Sequence, residues 1–250
     1  RDVWVKELDT GPESTLTAEG SLNGRPAWTN DGQSLAFVSN REGYNEIFTR
    51  VADGSLPAER FIAGSDTRNV DEVGFSPDGR WIVVQLDDDM FIRSTEPDSE
   101  LMPLLAEPGT IEGNFHISPD SRWIAYVSTE SGEAMVYVRP FPNVTDGRTL
   151  ISDTPSRSPL WAPDMSEIFY RTLNGSLVAA DINAGASFAV RSRTVLFPYR
   201  GFANDGSFRQ YDIHPDGDRF LMIRLGDPTG RTPVIVVRGF AEELLDQVSN

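Results

Sequence analysis

The sequence predicts an all-β chain assembled from a repeated unit of four short strands, and three observations carry that prediction. A turn phrase occurs five times, as "WTNDGQSLAF", "FSPDGRWIVV", "ISPDSRWIAY", "WAPDMSEIFY" and "IHPDGDRFLM". Aligned on the turn Asp, the copies fall at Asp31, Asp78, Asp120, Asp164 and Asp216, with intervals of 47, 42, 44 and 52 residues. Apolar runs of strand length, bounded by Asp-Gly, Asn-Gly and Pro, follow each copy in the same order. A period of about 40–50 residues with four strands per unit is the sequence signature of a β-propeller.

Each part of the unit has a physical reason. In the turn, Pro fixes φ, Asp or Asn bonds its own backbone, and Gly supplies a positive φ. The turn therefore reads as scaffold. A calcium loop would need several carboxylates converging within one loop, and "SPDGR" offers one. After the turn come "LAFVS", "IVVQL", "IAYVS", "IFYR" and "FLMIR". Strands apolar on both faces are sandwiched between neighbouring sheets. A third strand is predicted at "NEIFTRV", "DMFIRS", "AMVYVRP", "GSLVAAD" and "PVIVVRG", and a fourth at "AERFIAG", "LMPLLAE", "GRTLISD" and "RTVLFPY".

The unit boundaries follow. Residues 1–20 match only the outer half of a unit, because "DVWVKEL" aligns with "NEIFTRV" and "STLTAEG" with "ERFIAG". Full units are expected at 21–66, 67–110, 111–154, 155–200 and 201–239, and residues 240–250 read as a short C-terminal helix. Five inner halves plus one orphan outer half imply a six-bladed propeller, truncated at its N-terminus relative to a longer parent.

Bulk properties narrow the function. The net charge is −16, which repels phosphate backbones and argues against nucleic-acid binding. No apolar run approaches the roughly 18–20 residues of a membrane span, so no membrane contact is expected from this segment. There is no Cys, which removes disulfides, Cys-based zinc sites and thiol chemistry.

The strand before each turn locates the candidate site. Three and five residues before the Asp the positions are large and apolar, as at Trp28, Phe75, Ile117, Trp161 and Ile213, so that face is expected to pack between neighbouring sheets. Six residues before it lie Arg25, Glu72, Asn114, Ser158 and Gln210, all polar, and four before it lie His116 and Asp212 among mixed residues. A two-residue period puts these two positions on one face. That face is expected to line the central channel, making Arg25, Glu72, Asn114, His116, Ser158, Gln210 and Asp212 the candidate ligand-binding residues. No catalytic residue, metal ligand or cofactor is expected. His116 and His214 are the only histidines, too few for a metal site on the axis. Asp87–Asp89 reads as a solvated loop, and the carboxylates Glu72 and Asp212 come from non-adjacent units with Arg25 in the same layer.

The stretches "RDVWVKELDTG", "SPDSRWIAYVSTESGEAMVYVRPFP", "YDIHPDGDRFLMIR" and the ending "VIVVRGFAEELLDQV" carry a family resemblance. Together they resemble the TolB-type six-bladed propellers, in particular those at the C-terminal end of bacterial membrane-anchored serine/threonine kinases. The resemblance implies a non-catalytic, extracytoplasmic module that binds a protein or small-molecule partner, with kinase and membrane segments elsewhere in the parent. No kinase motif occurs in these residues. A periplasmic TolB-like scaffold and a propeller gating a serine peptidase are the alternatives.

Overall fold

The computed structural model describes residues 2–6, 11, 13–64, 68–185, 188–204 and 208–224, together with the backbone of 234–238. The predicted C-terminal helix at 240–250 lies outside the described residues, and those described form strands and turns without a helix. The chain divides into two compact units, Arg1–Gly113 and Asn114 onward.

The first unit opens with a two-stranded sheet, β1 (Trp4–Lys6) and β2 (Glu13–Thr15). Two four-stranded meanders follow. One is β3 (Asn23–Trp28), β4 (Ser34–Ser39), β5 (Glu46–Val51) and β6 (Glu59–Ile62). The other is β7 (Val70–Phe75), β8 (Trp81–Leu86), β9 (Asp89–Ser94) and β10 (Met102–Leu105). The second unit takes up β11 (Glu112–Ile117), which begins at the division, with β12 (Trp123–Ser128), β13 (Met135–Pro140) and β14 (Thr149–Leu150). Its next sheet is β15 (Ser156–Trp161), β16 (Glu167–Thr172), β17 (Ser176–Ala184) and β18 (Phe188–Pro198). Its last is three-stranded, β19 (Tyr211–Ile213), β20 (Arg219–Ile223) and β21 (Val234–Arg238).

Second strands are apolar on both faces because both are covered. In β4, Leu35 and Phe37 pack with Val3, Leu16 and Phe48. The alternate residues Ala36 and Val38 pack with Val70, Val73 and Ile82 of the next sheet. In the second unit Ile168 and Tyr170 join one cluster while Phe169 joins another. Alternation at a two-residue period thus feeds two cores from one strand.

Two departures from the sequence reading have physical causes. The β17–β18 hairpin is longer than expected, running to Ala184 and restarting at Phe188. Phe188 is held in place by Trp123, ring centroids 5.0 Å apart, and by Trp161 at 6.0 Å. Trp28, expected to pack between sheets, is 51% exposed, whereas its counterpart Trp161 is 1% exposed. The two-stranded β1–β2 sheet covers the β4–β5 part of that face and leaves the β3 part open.

Candidate functional site

Two of the turns are built around a buried serine two residues before the Asp. Ser76 Oγ donates to Asp78 Oδ1 at 2.6 Å and accepts from the Trp81 amide at 2.9 Å. Ser118 repeats this with Asp120 at 2.6 Å and the Trp123 amide at 3.0 Å. Thr29 does the same for Asp31 and Ser34, at 2.6 and 3.1 Å. The fourth copy has Ala162 at this position, and Asp164 bonds Ser166 Oγ instead, at 2.7 Å. Burial pushes the Asp78 and Asp120 carboxyls up, but hydrogen bonds from Ser76 or Ser118 and from the arginine two residues on hold both below the ordinary carboxylate range. The residue after each Asp has positive φ, including the non-glycine Ser121 (59°) and Met165 (62°). The turns are therefore scaffold. Asn30, which replaces the expected Pro, donates to the Ser76 carbonyl at 2.8 Å and ties the first full turn to the second.

The first strands carry the candidate residues, and here a strict two-residue period fails. Register shifts interrupt β3 between Gly24 and Ala27 and β15 between Arg157 and Leu160. Arg25, Asn114 and Ser158 occupy equivalent positions in β3, β11 and β15, and all have positive φ, at 55°, 51° and 60°. In β7 the shift falls at Asp71, just before Glu72. An extra residue in one strand breaks the alternation on either side of it. The expectation that the positions six and four residues before the Asp share one face is therefore corrected.

These bulged residues link neighbouring sheets within each unit. Arg25 pairs with Asp71 at 2.9 Å, from β3 to β7. Asn114 Oδ1 accepts the Ser158 amide at 2.5 Å, from β15 to β11. The Ser158 carbonyl accepts the buried Tyr211 hydroxyl at 2.7 Å, bringing in β19. His116 Nδ1 accepts the Trp161 amide at 3.0 Å, and the Trp161 indole donates back to the His116 carbonyl at 3.0 Å. Desolvation, helped by the Arg209 charge, holds the His116 imidazole well below its ordinary pKa. A neutral ring whose Nδ1 is an acceptor carries its proton on Nε2. The structure thus brings Asn114, His116 and Ser158 together in the second unit. Glu72 stands half-buried opposite Gln85, Gln210 is half-buried, and Asp212 is exposed and accepts the Ile213 amide at 2.9 Å.

Two acidic features lie elsewhere. Asp87 and Asp88 form a tight turn between β8 and β9 rather than a loop, and with residues 106–111 they line a cleft of about 460 Å³. His214, Asp216 and Asp218 have ligand atoms within 4.8 Å of one another. Arg219 is bonded to all three of these residues and pairs with both carboxylates from within the chain.

No family model matches the chain. The uncharacterised protein Atu1656 of Agrobacterium fabrum is 28% identical over 151 residues, 56% of this chain and 48% of that protein. The matched region is thus about half the length of that relative. TolB from Acinetobacter baumannii superposes with a TM-score of 0.68 at 15% identity, over 94% of this chain and 56% of that one. The fold is that of a β-propeller. A gluconolactonase from Xanthomonas campestris gives 0.64 at 14% identity, over 89% of this chain and 74% of its own. A puromycin-hydrolysing peptidase of Mycobacterium tuberculosis gives 0.62 at 14%, over 92% of this chain and 40% of its own. Identities this low establish fold alone.

Sequence reading missed two things at the site. The Ser, Thr or His two residues before four of the five turn Asps is visible as "SPD", "TND" and "HPD", yet the turn chemistry of Pro, Asp and Gly gives it no role. The bulges have no signal in the pattern, because Arg, Asn and Ser do not announce a positive φ as Gly does.

Proposed function

We propose that this chain is a non-catalytic binding module, a TolB-like propeller whose first strands present a docking surface for a protein or small-molecule ligand. The observation that supports the reading best is the use made of the polar first-strand groups. His116, the side chain most suited to acid–base work, spends Nδ1 on a backbone amide, and Asn114 and Ser158 bond each other. In this reading Asn114, His116 and Ser158 set the frame of the second unit, and the ligand contacts of each unit are its remaining first-strand polar residues, Arg25 and Glu72 in the first and Gln210 and Asp212 in the second. The parent is a bacterial membrane-anchored serine/threonine kinase-type receptor with this module on the extracytoplasmic side, which the sequence resemblance supports.

A second reading, a propeller that gates a peptidase, draws on the likeness to the M. tuberculosis enzyme. The genomic reading frame on either side of these residues separates the two. A kinase domain upstream supports the first, and a hydrolase domain adjoining the propeller supports the second. The docking surface is tested by titration calorimetry with a partner captured on the immobilised chain from bacterial envelope extract. Arg25→Ala combined with Glu72→Ala should weaken that partner at least tenfold, and unchanged affinity would place the surface elsewhere.

A further inference from the structure

The second unit gathers three arginines, near the start of β15, near the end of β16 and just before β19. Arg157 on β15 and Arg171 on β16 are direct cross-strand partners. Arg209, just before β19, donates to the carbonyl of Pro159, two residues from Arg157, at 3.4 Å. Arg171 and Arg209 both act electrostatically on buried Tyr211, whose hydroxyl reaches Ser158 between Arg157 and Pro159. Ion pairs tie Arg148, Arg191 and Arg219 to carboxylates in the same unit, but none joins these three to a carboxylate among the described residues.

Arg171 is the unusual member, at 2% exposure. It donates to the Ala203 carbonyl at 3.4 Å and to the Asn204 side-chain oxygen, and its guanidinium lies over the Tyr199 ring, 4.6 Å from the centroid. These partners are neutral. They fix the orientation of the fork without cancelling its charge, and a guanidinium does not shed its proton. Burial of a charge is costly without a counter-charge. Like charges directly opposite on an antiparallel pair repel. A chain of net charge −16 has ample carboxylate to place here, yet among the described residues Asp212, the carboxylate that also acts on Tyr211, forms no ion pair with any of the three.

We propose that Arg157, Arg171 and Arg209 form a binding site for the oxyanion group, carboxylate or phosphate, of a small ligand. Planar guanidinium forks match both groups in a bidentate manner. Arg171 is the pre-oriented floor of the site, and the half-buried Arg157 and Arg209 close on the anion from the solvent side. The Tyr199–Phe202 ring pair, 5.6 Å apart, stands beside Arg171 as an apolar wall for the rest of the ligand.

The test is thermal unfolding of the purified chain at constant ionic strength, with chloride replaced stepwise by inorganic phosphate or, separately, by succinate. The expected result is a saturable rise in Tm, about 5 °C at a hundredfold excess over the dissociation constant. A response to one anion only assigns the site to that chemistry. Arg157→Gln and Arg209→Gln should remove the response with the circular dichroism spectrum unchanged, and Arg191→Gln, an exposed control paired with Asp181, should keep it. An equal response in the Arg157 and Arg209 variants would overturn the proposal. So would a wild-type protein that ignores both anions.

Discussion

Removing the carboxylate of one turn should cost far more than removing it from another, although both turns come from the same repeat. In the β11–β12 turn, Asp120 accepts from Ser118 Oγ at 2.6 Å and from the Arg122 amide at 3.1 Å. Ser118 is fully buried and also holds the Trp123 amide at 3.0 Å. Asp120→Ala breaks a charge-assisted bond to a buried hydroxyl, which costs about 1.5–3 kcal/mol. The Arg122 ion pair adds little, since the arginine side chain is 64% exposed. The sum is about 2 kcal/mol, or a Tm lower by roughly 4–8 °C for a chain of this size. In the β15–β16 turn Ala162 replaces the serine, and exposed Asp164 bonds only Ser166, at 3.0 Å to the amide and 2.7 Å to the hydroxyl. Asp164→Ala should therefore cost under about 1 kcal/mol. Ser118→Ala should resemble Asp120→Ala, and the double variant should fall well short of the sum, because the two groups act as one unit. Urea unfolding with a constant m-value measures all four. Equal losses at Asp120 and Asp164 would refute the claim that the serine converts a surface turn into a core anchor.

Three further outcomes follow from the same geometry. Stability should fall as pH drops, in two stages. His116 is harder to protonate folded than unfolded, so its contribution is complete above about pH 6.5 and declines below it by up to about 1.4 kcal/mol per pH unit. The turn carboxylates Asp78 and Asp120, held low in the fold, add their loss below about pH 4. Glu167, raised by burial and by Asp164 and Asp181, works in the opposite sense and softens the second stage. Urea midpoints across pH 3–8 would show both stages. Gly64→Ala should cost about 1–3 kcal/mol, because a Cβ there overlaps the Asn45 carbonyl. Gly24→Ala, with open space around it, should be near neutral in the same melts. Asn114→Gly keeps the positive φ and leaves the buried Ser158 amide unpaired, for about 1–3 kcal/mol, and Asn114→Ala should lose about 1 kcal/mol more to backbone strain.

The fold was legible because it is written in turns and alternation, and both are local. "SPDGRWIVV" contains its own Asp, Gly and doubly apolar strand, and the structure realises each of them at Asp78, Gly79 and Ile82–Val84. The site was less legible because it depends on what one sheet does to the next. Nothing in "GNFHI" says that Asn114 takes a positive φ to reach Ser158, 44 positions away. His116 drew attention as a rare titratable group, and its role proved to be acceptance of a backbone amide. Arg157, Arg171 and Arg209 drew none, since arginines are scattered through the sequence and only strand register sets the first two side by side.

The central claim is that the polar first-strand residues of the second unit join its sheets, and the His116 ring tests it most directly. Long-range nitrogen–proton correlation spectra recorded from pH 8 to pH 5.5 report both tautomer and charge. The expected result is a neutral ring protonated on Nε2 throughout, with Nδ1 shifted as an acceptor of the Trp161 amide. A ring that titrates with an ordinary midpoint near 6.5 would contradict it, because such an imidazole is hydrated and free rather than bonded between sheets.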